Sequence, residues 1–115
     1  MERKKRRSRC HLYEKRFVDL NELCRFYHEQ TGKQIPAETI KHEMAHYNKA
    51  LELGYETEFE LRFGRNCFTR ITLEFKDKNK VSNEDLIAIA EAPEDPSWED
   101  RVTIRSTREK IYGSG

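Results

Sequence analysis

The sequence predicts a small α+β domain, and three observations predict it. Apolar residues recur at helical spacing over residues 16–53, interrupted once at Thr31-Gly32. They switch to alternation over residues 58–75, the signature of a half-buried strand pair. Two apolar runs, each opened by a serine at Ser82 or Ser97, follow. The expected order is therefore a packing helix, a second helix, an antiparallel β-hairpin and one or two short C-terminal helices. At 115 residues the chain has material for one modest core and no second.

Residues 1–15 contain Arg3-Lys4-Lys5-Arg6-Arg7, Arg9 and Lys15, a run that repels itself and offers little to a core. It reads as a basic flexible arm, with the single domain over residues 16–112 and Gly113-Ser114-Gly115 as a flexible end. Phe17, Leu20, Leu23, Cys24 and Tyr27 mark the packing helix over residues 16–30, which Thr31-Gly32 ends. His28, near that end, reads as a surface or helix-terminus histidine. The second helix runs from Pro36, suited to a first helical turn, to Leu53, with Gly54 as terminator. Its apolar stripe is Ile40, Met44, Tyr47 and Leu51.

In the hairpin, Phe59, Leu61 and Phe63 point one way and Glu58, Glu60 and Arg62 the other. Gly64-Arg65-Asn66 makes the turn. Cys67, Thr69, Ile71, Leu73 and Phe75 then alternate with Phe68, Arg70, Thr72 and Glu74, and Asp77-Lys78-Asn79-Lys80 closes the unit. Ser82 caps a short helix with Leu86, Ile87, Ile89 and Ala90 on its apolar side, stopping before Pro93. Ser97 caps another, anchored by Trp98 and Val102, and the signal fades beyond Thr107.

The second helix carries Thr39-Ile40-Lys41-His42-Glu43-Met44-Ala45-His46-Tyr47, and within it H-E-x-x-H. Histidines four residues apart stand one above the other on a helix, so both imidazoles can reach one metal ion. Glu43, one step around, is placed to take a proton from a water activated by that ion. The competing reading is a solvated helix face in a chain rich in glutamate. A catalytic zinc site takes three protein ligands and keeps a fourth position open. His42 and His46 supply two, and the acidic candidates for the third cluster in Ser82-Asn83-Glu84-Asp85-Leu86 and Pro93-Glu94-Asp95-Pro96-Ser97-Trp98-Glu99-Asp100. Asp85 and Asp100 each also complete an S-x-x-D capping box, in which the carboxylate satisfies a backbone N–H instead. Tyr55 and Arg70 are candidate oxyanion donors by residue type alone.

The motif with its flanks, followed by Gly54 and then by strands, resembles zincin-like metallopeptidases, specifically peptidase domains of the FtsH and site-2-protease types. The resemblance covers about half the chain and implies a Zn²⁺ cofactor, a peptide or protein substrate and Glu43 as general base. Likeness to the FtsH type would make Asp85 the third ligand, through Ser82-Asn83-Glu84-Asp85-Leu86. Likeness to the site-2 type would make it Asp95 or Asp100, and likeness to the archaeal minigluzincins Glu84 of Asn83-Glu84.

Lys and Arg number 22 against 21 Asp and Glu, so no whole-chain field favours nucleic acid; only the arm could make a weak nucleic-acid contact. A non-catalytic regulatory or nucleic-acid-binding module acting through that arm is the alternative function. The sequence contains no apolar run of membrane-spanning length and no secretory apolar core, and Cys10, Cys24 and Cys67 form no C-x-x-C. A soluble cytoplasmic protein with ordinary thiols is the expectation.

Overall fold

The computed structural model describes residues 12–64 and 68–113. The arm up to His11 with Cys10, the turn residues Arg65, Asn66 and Cys67, and Ser114 and Gly115 lie outside the described residues. The elements are β1 (Tyr13–Phe17), α1 (Leu20–Thr31), α2 (Ala37–Glu52), β2 (Thr57–Phe63), β3 (Arg70–Phe75), α3 (Asn83–Ala90) and α4 (Trp98–Arg108). A 3₁₀ turn at Lys78–Lys80 precedes α3, and a π-helical turn at Glu109–Gly113 extends α4 past the expected limit. The architecture is α+β, with a three-stranded antiparallel sheet in the order β1-β2-β3.

The third strand corrects the expected two-stranded hairpin. Tyr13, Glu14 and Lys15, read as the end of the arm, and Arg16 and Phe17, read as the start of the packing helix, pair with β2 from Tyr13 opposite Phe63 to Phe17 opposite Phe59. Helix α1 starts later, at Leu20, because Asp19 caps it by accepting the Asn21 N–H. Gly32 and Gly54 end the first two helical stretches at φ +75 and +92, a region costly to residues with a Cβ. The carbonyl of Pro36 accepts the Ile40 N–H, so Pro36 stands just ahead of α2.

Leu20, Leu23, Tyr27, Ile35, Phe59, Leu61 and Phe63 form the core, with Ile40, Met44, Tyr47, Ile71 and Leu73 packed against it. Full burial of a side chain such as Phe59 or Leu61 contributes about 1.5–3 kcal/mol. An exposed ion pair contributes about 0–1 kcal/mol. The sheet and α1 are thus held by this apolar layer rather than by the charges of β1. Burial, and then the nearby Asp19 carboxylate, push the Cys24 thiol up, which fits the inert thiol expected there.

Three burial expectations are overturned. Glu60, expected outside, is 7% exposed beneath Arg16 and Arg62, which bond its carboxylate at 3.4 and 3.0 Å. Leu51, assigned to the apolar stripe, is exposed. Trp98 and Val102, assigned as anchors of α4, are 77% and 46% exposed, and Ile104 and Thr107 are buried in their place. Among the described residues, no helix is long and apolar enough to cross a membrane.

Candidate metal centre

Helix α2 buries Glu43, His46 and Ala50 more deeply than its apolar stripe, because α3 and α4 cover the motif face. The motif is therefore not a solvated helix surface. His42 and His46 bring their Nε2 atoms to 3.2 Å, as spacing of four on one helix allows. Asp100 reaches them from the first turn of α4, with Oδ2 2.9 Å from His42 Nε2 and Oδ1 3.2 Å from His46 Nε2.

This donor set fits a metal ion on two counts. Ligand bonds of about 2.0–2.1 Å to a tetrahedral ion put neighbouring donor atoms about 3.3 Å apart. The observed separations of 2.9–3.2 Å are close to that. The second count concerns protons. His46 Nδ1 lies 2.7 Å from the carbonyl oxygen of Ile89, which can only accept, so Nδ1 carries the proton and donates it. His46 Nε2 is thereby left facing a carboxylate and a second imidazole nitrogen, which a proton or a cation between them would join. A metal-binding histidine oriented through its other nitrogen by a carbonyl has this arrangement.

Of the four residues considered for a third ligand, the structure brings only Asp100 to the histidines. Asp85 accepts a hydrogen bond from the Tyr55 hydroxyl instead, which also engages Tyr55, one of the two candidate oxyanion donors. Asp95 is exposed and faces Arg101 at 3.6 Å. Glu84 is exposed on α3. Arg70, the other candidate donor, borders the same cleft as the motif and is paired with Glu99.

Capping and approach to the histidines, posed as alternatives for Asp100, coexist. Asp100 N–H donates to Ser97 Oγ at 3.1 Å, while Ser97 N–H donates to Asp100 Oδ2 at 2.9 Å. The capping box fixes the rotamer that presents the carboxylate to the imidazoles. Sequence reasoning found Ser97 as a cap but not as this support, and it missed the Ile89 carbonyl, which no side-chain pattern announces.

The cleft over the site has a volume of about 310 Å³ and is walled by Arg70 to Phe75 of β3, Leu86, Ile89 and Ala90 of α3, and the start of α4. A larger cleft of about 560 Å³ beside Ile104, Arg105 and Arg108 holds none of the motif residues. Burial, then the carboxylates of Asp100 and Glu99, push Glu43 up to about 8. In the metal-free chain the folded state keeps this proton up to about pH 8, whereas the unfolded state loses it near the usual value of 4.5. The associated stability is fully present below pH 4.5 and is lost as pH rises through 8. Urea denaturation of metal-stripped protein at pH 5 and pH 8 is expected to show the loss, on the order of 3–5 kcal/mol from this group. Glu43→Gln should remove it; an unchanged slope in that variant would assign the pH dependence elsewhere.

Comparison with known proteins returns no match: no family model, no curated protein and no solved structure matches the chain. The functional reading therefore rests on the residues of the site.

Proposed function

We propose that the chain is a zincin-like zinc-dependent peptidase, in which His42, His46 and Asp100 hold the ion and Glu43 is the general base. The convergence of two motif imidazoles and one capped carboxylate at 2.9–3.2 Å is the observation that carries this reading. A zinc ion held there would supply Lewis acidity for the scissile carbonyl, an acidified water, and the positive charge that keeps Glu43 ionised. Glu43 takes a proton from the attacking water on its carboxylate and returns it to the nitrogen of the leaving amine. Ile89 holds His46 in one tautomer through its carbonyl, and Ser97 holds Asp100 in one rotamer.

Substrate binding follows from the sheet. In the order β1-β2-β3, one edge of β3 is taken by β2 and the other borders the cleft. An extended peptide adding to that edge would form main-chain hydrogen bonds and lay its backbone along the site. The burial of Glu43 and His46 beneath the cleft limits competing water around the base.

Elemental analysis of protein purified without a metal-affinity tag is expected to give about one zinc per chain. His46→Ala should lose it, since that substitution removes a ligand and leaves the Ile89 carbonyl without its donor. Absence of zinc after reconstitution at neutral pH would refute the peptidase reading.

A further inference from the structure

The charges along β3 specify more than a generic peptide. Six consecutive residues, Arg70, Ile71, Thr72, Leu73, Glu74 and Phe75, border the cleft. Alternate side chains of a strand point to opposite faces, so a cavity bordered by all six runs along the strand's edge rather than over one face. Ile71 and Leu73 pack toward the core, which leaves Arg70, Thr72 and Glu74 together on the other face.

On that face β2 gives both charged residues the wrong neighbour. Arg70 stands directly opposite Arg62, and Glu74 directly opposite Glu58. Like charges in directly opposed positions destabilise a strand pair, so each draws its compensation from elsewhere. Arg70 pairs with Glu99 of α4, whose side chain is 56% exposed. Glu74 accepts from Thr72 Oγ1 at 3.0 Å and lies 3.7 Å from Lys78 Nζ, whose side chain is 75% exposed. Exposed pairs of this kind are weak and readily exchanged. Among the described residues no strand pairs with the other side of β3, and there an added strand would place its own side chains within about 5 Å of Arg70 and Glu74.

We infer that the cleft selects an extended peptide, antiparallel to β3, carrying a basic residue opposite Glu74 and an acidic residue opposite Arg70. This rests on the reading of β3 as a peptide-binding edge. The direction is that of the β2–β3 pair itself, and antiparallel pairing is the more stable per residue. Positions 70 and 74 are four apart on one face, and the peptide runs the opposite way. Its basic residue therefore precedes its acidic residue by four positions. Glu99 and Lys78 are displaced by the two peptide charges.

The test uses the full chain carrying Glu43→Gln, with and without zinc, and three fluorescein-labelled decapeptides followed by anisotropy. One has Lys four positions before Glu, one has Glu four positions before Lys, and one has Gln at both positions. The Lys-first peptide is expected to bind about tenfold more tightly than the Glu-first one, from two favourable pairs exchanged for two unfavourable ones. Arg70→Glu combined with Glu74→Lys should invert the order. Arg70→Gln and Glu74→Gln, the milder changes, should each reduce the ratio to about threefold, with circular dichroism confirming the fold. Equal affinities, a Glu-first preference, no binding, or a preference that survives the double reversal would each overturn the inference. Cleavage by the unsubstituted protein is scored separately. Hydrolysis of all three peptides alike would leave the peptidase reading standing without this selectivity. Selective binding without hydrolysis would do the reverse.

Discussion

Glu43→Gln is expected to lower peptide hydrolysis by about 10²–10⁴-fold while zinc stays bound at its original stoichiometry. Glutamine has nearly the same volume, so the buried position under α3 and α4 keeps its packing. It lacks the basic oxygen that takes the water's proton and the acid that protonates the leaving amine. Steady-state kinetics on a cleaved peptide, with metal analysis of the same sample, separate base loss from ligand loss. A variant that retains both zinc and full turnover would remove Glu43 from the mechanism.

The second large effect is expected at Asp100. Asp100→Asn should weaken zinc binding by more than the 10–100-fold that losing an outer-shell partner typically costs. It should do so without unfolding α4, because an asparagine side-chain oxygen can still accept the Ser97 N–H. Asp85→Asn serves as the matched comparison. It alters the contact with Tyr55 and should leave zinc affinity unchanged. Competition titration with a chromophoric chelator reads both variants. Parent-like affinity in Asp100→Asn, or loss confined to Asp85→Asn, would transfer the third-ligand role away from α4.

The parts of the fold that could be read from sequence are those written in neighbouring residues. Ser82 and Ser97 cap the helices they were expected to cap, and Gly32 and Gly54 sit where left-handed backbone ends a helix. Phe59, Leu61 and Phe63 point inward as their alternation implied. Strand β1 was hidden because Glu14 and Lys15 look like more of the basic arm, and Arg16 and Phe17 like the first turn of the packing helix. The ion-pair partners of Glu14 and Arg16, namely Arg62, Glu58 and Glu60, are more than forty residues away, and only tertiary structure brings them together.

Helix α4 was misread for a related reason. Trp98 and Val102 advertise an apolar face, but the side that packs carries Asp100, Thr103, Ile104 and Thr107. A packing face in which three of four residues are polar has no hydrophobic periodicity. In the same way His42, Glu43 and His46 were legible as a group from their spacing, whereas the choice among four carboxylates depended on how α4 docks.

The double engagement of Asp100 ties a secondary-structure boundary to a charge at the centre of the site. Its Oδ2 closes the first turn of α4 through Ser97 and also faces His42. A helix cap of this kind is worth about 1 kcal/mol. If that carboxylate holds the proposed zinc, thermodynamic reciprocity makes whatever stabilises the turn raise affinity for the ion, and makes the ion suppress fraying of the turn. Exchange of the Ser97 and Asp100 amide protons with solvent would then report occupancy of the proposed site without any substrate.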